Sequence, residues 1–344
     1  MIFIRADANS IIGTGHVMRC LSLAAALKNC GEEVLFLLAD EAAVPLLSDR
    51  GQPYKVLGSS YDRMEEELAT LLPVLSEEKP KLLLLDSYFV TEKYLSEVRK
   101  HVKTAYIDDK FAFPYPVDIL INYNIYGDMV PYREKGIKED TVLLLGTQYA
   151  PLRGEFEKAA LTVRDKALNV LLTTGGSDRY NLAGQILSAA LLHEKAAGLH
   201  YHVVSGAFNS HLPNLRALAA VHDNIHIHVN VQNMAELMEK CDIAVTAGGS
   251  TMYELCAVGI PIICFSFVDN QEKIVETFAE KGIVCFGGNY LTDKEGLADK
   301  VIQNIVKLAA DKLLREDYQN RGKLLVDGRG AARLAEVLCE KAEK

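Results

Sequence analysis

Arg5–Cys20 reads RADANSIIGTGHVMRC, which indicates a turn rich in glycine followed by a helix. The apolar run Met1–Ile4 precedes it as a strand, and Gly13 and Gly15 allow the backbone to turn sharply and a ligand to approach closely. His16 falls in the first helical turn, where the positive end of the helix dipole attracts anions and disfavours protonation of an imidazole. A neutral histidine can act as a base, although an ordinary tight strand-to-helix connection explains the same residues equally well.

Composition limits the classes of protein to consider. The chain has 344 residues, 49% of them hydrophobic, which is enough for two domains with separate cores. A net charge of −9 argues against nucleic acid as the main partner. No apolar run reaches the roughly 18 to 20 residues of a membrane span, and the N-terminus lacks the pattern of a signal peptide.

The cysteines and histidines point to a cytoplasmic protein without a metal site. Seven scattered cysteines never form a CxxC pair, which is typical of reduced thiols. The nine histidines show no metal-ligand pairing, because the HIHVN segment at 226–230 alternates as a strand does. We expect no cofactor and no metal.

Short apolar runs alternate with helix-like segments in the first half, which predicts a doubly wound α/β domain with a parallel sheet. The runs are Glu33–Ala39, Tyr54–Leu57, Lys81–Leu85, Thr104–Ile107 and Asp118–Asn122. Ligands of such sheets bind beyond the carboxyl ends of the strands, so the polar residues that follow the runs should meet at one edge. They are Asp7, Asp86, Ser87, Tyr88, Asp108, Asp109, Asn122 and Asn124. Each of them alone is also explained as a helix cap or a turn residue.

The alternation of apolar runs and helix-like segments is interrupted at Gly146–Glu155. A second α/β pattern follows, so we place the domain boundary near residue 160. The strand Leu168–Thr173 runs into Gly175 and Gly176, which repeats the strand and glycine turn of the first half. This predicts domains at 1–160 and 161–325 and a helical tail at 326–344.

A second focus follows the strand that starts at Asp242. Gly248, Gly249, Ser250 and Thr251 precede a helix and resemble a phosphate cradle, because backbone N–H groups point outward and the hydroxyls add donors. Glu254 lies one turn further, where a carboxylate could accept hydrogen bonds from a ribose diol. The alternative is a helix capped by serine or threonine, with a solvent-exposed glutamate. Asn270 and Gln271 provide polar groups after the next strand.

With these motifs in view, the chain resembles nearly end to end the UDP-2,4-diacetamido-2,4,6-trideoxy-β-L-altropyranose hydrolases of pseudaminic acid biosynthesis and the related spore-coat polysaccharide proteins. The resemblance rests on RADANSIIGTGHVMRCLSLA at 5–24, DSY at 86–88, GGSD at 175–178, AGGSTMYELCAVGIP at 247–261, DNQ at 269–271 and VDGRG at 326–330. Arg179 stands where the family usually has proline, which concerns only the local turn.

The resemblance implies a GT-B fold, with two Rossmann-like domains facing a cleft and a last helix that crosses back to the first domain. It implies UDP on the C-terminal domain, held by the 248–251 loop at the diphosphate and by Glu254 at the ribose, and a sugar facing the N-terminal one. His16 is the implied base, and Tyr88 lies near the reacting sugar. The candidate substrate-binding residues are Asp7, Gly13, Gly15, Asp86, Gly175, Gly176, Gly248, Gly249, Ser250, Thr251, Glu254, Asn270 and Gln271.

The reaction expected is therefore hydrolysis of a UDP-linked diacetamido sugar, with inversion and cleavage of the anomeric carbon–oxygen bond. No DxD-like pair stands where a metal would bridge two phosphates, so the activity is expected to be independent of metal. A metal-independent inverting glycosyltransferase and a non-catalytic nucleotide-sugar binding protein are the alternatives. The partner is a small UDP-sugar, while the exact sugar and the oligomeric state stay open.

Overall fold

The computed structural model describes residues 1–206 and 209–343, and its contacts divide the chain into two compact units. The first unit comprises Met1–Gly154 with the C-terminal segment that starts at Arg329, and the second comprises Glu155–Gly328. Among the described residues, no helix is long and apolar enough to cross a membrane.

The first unit is a seven-stranded parallel sheet flanked by helices, in the strand order β3-β2-β1-β4-β5-β6-β7. Its elements are β1 (Ile2–Ala6), α1 (Gly15–Asn29), β2 (Val34–Leu38), α2 (Val44–Ser48), β3 (Tyr54–Val56), α3 (Met64–Glu78), β4 (Leu82–Asp86), α4 (Glu92–Val98), β5 (Thr104–Ile107), β6 (Ile119–Asn122) and β7 (Val142–Leu145). The central strands β1 and β4 are buried along their whole length, as continuous apolar runs covered by helices on both faces require.

The second unit is a six-stranded parallel sheet in the order β10-β9-β8-β11-β12-β13. Its elements are β8 (Asn169–Thr173), α5 (Leu182–Leu192), β9 (His200–Ser205), α6 (Leu212–Ala219), β10 (Ile225–Val229), α7 (Met234–Lys240), β11 (Ile243–Ala247), α8 (Thr251–Val258), β12 (Ile262–Ser266), α9 (Asp269–Glu280), β13 (Cys285–Asn289), α10 (Leu297–Ala310) and α11 (Lys312–Leu325). The doubly wound α/β architecture expected from the sequence is confirmed in both units.

The last helix, α12 (Gly330–Glu343), packs within the first unit. Its buried residues include Leu334 and Leu338, and Lys103 donates a hydrogen bond to the backbone oxygen of Lys341. Gly330 meets the backbone of Ala150 so closely that a Cβ there would lie 2.1 Å from the carbonyl oxygen. A side chain at position 330 would therefore prevent this packing.

Candidate functional site

The loop before α1 brings His16 to the carboxyl edge of the first sheet. Gly13 has a φ of +74°, which favours glycine, and α1 begins at Gly15. Asn9 accepts hydrogen bonds from the two N–H groups of residues 11 and 12 and so holds the loop. A Cβ at Gly13 or Gly15 would meet no atom within 4 Å, so the loop is open at these two positions.

Asp86, at the end of β4, fixes the orientation of His16. Its Oδ1 lies 2.6 Å from Nδ1 of His16, and His16 itself is 4% exposed. A carboxylate only accepts hydrogen bonds, so Nδ1 carries the proton and Nε2 carries the lone pair. The Tyr88 ring meets the His16 ring edge-on, with centroids 4.4 Å apart. The histidine is thus held in the tautomer of a base that acts through Nε2.

Arg19 donates hydrogen bonds to side chains from several strands at this edge of the sheet. Its guanidinium donates to Oδ2 of Asp86 through Nε at 2.6 Å, to Oδ2 of Asp109 through Nη2 at 2.8 Å and to the Tyr123 hydroxyl through Nη1 at 2.7 Å. Nη2 also donates to Oδ1 of Asp86 and lies 3.1 Å from Nδ1 of His16. The helix thus presents an arginine and a histidine, three residues apart, to the same carboxylate.

The charges of this cluster favour an ionised Asp86. Burial alone would raise the pKa of Asp86, but Arg19 and His16 outweigh burial and hold that pKa well below its usual range. Burial, reinforced by Asp109, raises the pKa of Tyr88 far above its ordinary value, so its phenol keeps its proton. Asp86, Asp109 and Arg19 together carry one net negative charge, which would stabilise an imidazolium formed when His16 takes a proton.

Asp7 makes its hydrogen bonds with other residues. Its Oδ2 accepts a hydrogen bond from Arg5, and its Oδ1 accepts one from the backbone N–H of Ala39. Arg5 is completely buried and also donates twice to Glu67. These contacts anchor the end of β1 to the fold.

In the second unit, the candidate residues follow three parallel strands at one sheet edge. Gly175, with a φ of +86°, and Gly176 follow β8, and a Cβ on Gly206, after β9, would lie 2.4 Å from the Gly176 carbonyl oxygen. Asp178 accepts hydrogen bonds from the first N–H groups of α5 and so holds the turn. The two glycine-containing loops therefore pack directly against each other.

The loop after β11 contacts the first turns of α9. A Cβ on Gly248 would stand 2.5 Å from Cγ2 of Val275, whereas one on Gly249 would meet nothing within 4 Å. Ser250, the residue before α8, makes no side-chain cap, which departs from the capped helix weighed as the alternative. The N–H groups of Met252 and Tyr253 instead donate to the backbone carbonyl oxygens of Gly249 and Ser250, so the Ser250 hydroxyl is not used to cap α8.

Four candidates lie on α8 and α9. Thr251 starts α8, and Glu254 is half-buried in its first turn. Gln271 accepts a hydrogen bond from the Phe267 N–H at 3.1 Å, which holds the start of α9 against the end of β12. Asn270 lies in α9, and its side chain is outside the described part of the structure.

The fold is similar to that of known proteins. Residues 170–327 match the family described as the glycosyltransferase family 28 C-terminal domain. The crystal structure of Acinetobacter baumannii MurG superposes with a TM-score of 0.70 at 14% identity, covering 98% of this chain and 99% of that one. The chain has the GT-B fold.

Several curated relatives match by sequence. The UDP-2,4-diacetamido-2,4,6-trideoxy-β-L-altropyranose hydrolase of Campylobacter jejuni is 28% identical over 82% of this chain and 97% of its own length. The Bacillus subtilis spore coat polysaccharide biosynthesis protein SpsG is 25% identical over 98% of both. An uncharacterised Methanocaldococcus jannaschii protein is 28% identical over 81% of this chain, which spans 58% of that protein. The resemblance stated from the motifs is confirmed.

Within this GT-B chain, sequence reasoning missed Arg19 and assigned no role to Tyr123. Arg19 stands in an amphipathic helix pattern, where a charged residue is usually solvent-facing. The only signal was its spacing of three residues from His16, which puts both side chains on one helix face. Ser205, at the end of β9, is the other omission: its hydroxyl is buried and has no hydrogen-bond partner in the structure.

Proposed function

We propose that the protein hydrolyses a UDP-linked 2,4-diacetamido-2,4,6-trideoxy hexose to UDP and the free sugar. The observation that carries the proposal is the 2.6 Å contact between His16 Nδ1 and Asp86, because it leaves Nε2 of a buried histidine outside that bond and able to accept a proton. The sugar itself is taken from the hydrolase of Campylobacter jejuni, which matches at both motif and chain length.

In the proposed reaction, His16 removes a proton from water as the water attacks the anomeric carbon of the sugar. The bond between that carbon and the diphosphate oxygen breaks, UDP leaves from the opposite face, and the configuration inverts. The free sugar retains the hydroxyl that came from water. Asp86 and Asp109 stabilise the imidazolium that forms, and this general-base step supplies roughly 10²- to 10⁴-fold in rate.

The second unit would hold the nucleotide. Negative charge develops on the departing diphosphate. The N–H groups of Gly249 and Ser250, just before α8, would stabilise that charge by donating hydrogen bonds to the diphosphate oxygens. Glu254 would accept hydrogen bonds from the ribose hydroxyls, and Gly175 and Gly176 would allow the nucleotide to approach the backbone. No step in this scheme calls for a metal ion, so we expect full activity in excess chelator.

Turnover without an acceptor tests the proposal. The purified protein is incubated with the UDP-diacetamido-altropyranose and EDTA, and UDP and free sugar are followed by NMR. We expect both products from the unmodified protein and a rate lower by about 10²- to 10⁴-fold in His16→Gln, with unchanged affinity for UDP. UDP binding without sugar release would favour a transferase or a binding protein, and a His16→Gln variant at full rate would refute the assignment of the base.

A further inference from the structure

The two strands at one edge of the second sheet carry four histidines on one face. β9 begins with HYH at 200–202 and β10 contains HIH at 226–228, and the parallel register sets His226 beside His202. Alternate residues of a strand share a face, and the residues between these histidines pack towards the core of the unit. The ring of His202 lies 4.9 Å from that of His226 and 5.3 Å from that of His228, measured between centroids.

A hydrogen bond joins the rings of His202 and His228, which lie on neighbouring strands. Nδ1 of His202 lies 3.1 Å from Nε2 of His228, and Nε2 of His202 lies 3.3 Å from Oδ1 of Asn169 on β8. With the amide oxygen of Asn169 as acceptor, His202 carries its proton on Nε2 and keeps the lone pair on Nδ1. A histidine that binds a metal almost always donates its other N–H to an oxygen in this way.

The neutral imidazole is the form that binds metals. Lys240 is the cation that acts on both rings, and its ammonium group is paired with Glu236 at 2.7 Å. The cluster is therefore a set of imidazole lone pairs with little competing positive charge.

We propose that His202 and His228 bind a divalent first-row transition-metal ion, with Asn169 orienting His202. Nitrogens at about 2.0 to 2.1 Å from a tetrahedral ion lie roughly 3.3 Å apart, close to the observed 3.1 Å, and each ring would turn by roughly 35° to point its lone pair at the ion. The ion takes the place of the shared proton, which moves to Nδ1 of His228. No group of three His, Cys, Asp or Glu side chains in 1–206 and 209–343 is placed to hold a metal, so water fills the other positions.

This site is distinct from the proposed hydrolase chemistry and uses none of its residues. Local sequence spacing does not reveal this site, because the two ligands lie 26 positions apart and become neighbours only through strand pairing. Spacing rules detect only ligands that are near each other in sequence. The pairs at 200–202 and 226–228 are near enough, but a spacing of two residues is typical of an ordinary strand face.

Calorimetry with Ni²⁺ tests the site, using the full chain without a polyhistidine tag after chelator treatment and dialysis. We expect one Ni²⁺ per chain, and we expect His202→Asn and His228→Asn each to weaken binding at least about tenfold. Asn169→Leu should weaken it by about 10- to 100-fold, while Asn169→Asp should retain it, because a carboxylate also accepts the Nε2 proton. His193→Asn is the matched control, since His193 is not one of the four clustered histidines of β9 and β10, and this variant should bind Ni²⁺ as the unmodified protein does.

Ring ¹⁵N NMR of the unmodified protein provides a readout that needs no substitution. Zn²⁺, which is diamagnetic, should shift Nδ1 of His202 and Nε2 of His228 selectively. Absence of binding, equal loss in His193→Asn, or unchanged binding in both His202→Asn and His228→Asn would overturn the proposal. Turnover of the UDP-sugar in these variants should stay at the level of the unmodified protein. Failure of the metal site and failure of the proposed hydrolase activity can therefore be told apart.

Discussion

At the scale of single residues, Asp86 decides which nitrogen of His16 can act. We predict that Asp86→Asn lowers kcat by up to about 10⁴-fold, because an amide in that place no longer fixes the tautomer or stabilises the imidazolium. Affinity for UDP should not change, since the residues proposed to hold UDP lie in the second unit. Steady-state kinetics and calorimetry with UDP separate the two effects.

Asp109→Asn is the matched control for that experiment. It removes one carboxylate from Arg19 but leaves the 2.6 Å contact between His16 and Asp86 in place. Its effect on kcat should therefore be smaller than that of Asp86→Asn. An Asp86→Asn variant that turns over at the normal rate would contradict the role assigned to the carboxylate.

Position after a strand predicted which side chains would meet, and little more. Asp86, Asp109 and Asn124 do lie together, because parallel strands end at one edge of the sheet. Asp7 obeys the same rule but is bonded to Arg5, whose guanidinium is buried against Glu67 on a helix that the pattern did not connect to β1. Which polar groups bond to the protein and which remain for a ligand depends on such long-range contacts.

At the scale of elements, the loop between β11 and α8 offers a pair of substitutions with opposite consequences. Gly248→Ala places a methyl group against Val275, so we predict a loss of about 1 to 3 kcal/mol in the free energy of unfolding. Gly249→Ala places its methyl group in open space, so stability should hold. If the loop cradles the diphosphate, Gly249→Ala should nevertheless weaken UDP binding.

Urea denaturation and UDP calorimetry on the two variants measure both quantities. The comparison isolates binding from folding, because only Gly249→Ala is expected to be a well-folded protein with a changed loop surface. Gly249→Ala with unchanged affinity for UDP would argue that the nucleotide does not approach this loop.

Elements with strong apolar runs were predictable, and two strands were not. β7 (Val142–Leu145) follows a charged turn and lies next to the point where the alternating α/β pattern is interrupted. β13 (Cys285–Asn289) contains two glycines. Glycine is depleted in strands, so β13 reads as a loop until its pairing with β12 is known. A Cβ on Gly287 would lie 3.0 Å from the Cys264 carbonyl oxygen, which explains glycine at that position.

At the scale of the whole molecule, the C-terminal helix belongs to the first unit and not to the domain that precedes it in sequence. Leu334 of α12 is fully buried, and we predict that Leu334→Ala costs about 2 to 5 kcal/mol of the first unit's stability. Hydrogen exchange should accelerate in the first sheet and stay unchanged in the second. Leu324→Ala is the control, because Leu324 is 89% exposed, and faster exchange in both variants alike would contradict the assignment.

The sequence predicts the roles proposed for the two units better than it predicts the detailed geometry of their sites. Each half carries a glycine-containing turn after a buried strand, but only the first provides a histidine with a carboxylate partner and only the second provides the glycine pair before α8. The α/β fold was therefore predictable from local patterns, whereas the roles of the two units stay a prediction. The choice between water and another acceptor was not, because it depends on what reaches the anomeric carbon.

Turnover in ¹⁸O-labelled water tests the central claim most directly. The UDP-diacetamido-altropyranose is incubated with the protein and EDTA in labelled water, and both products are weighed by mass spectrometry before the sugar can exchange its anomeric oxygen. The account predicts one ¹⁸O on the sugar and none on UDP, because water attacks carbon. Label on UDP would show attack at phosphorus, and the absence of free sugar would show that water is not the acceptor.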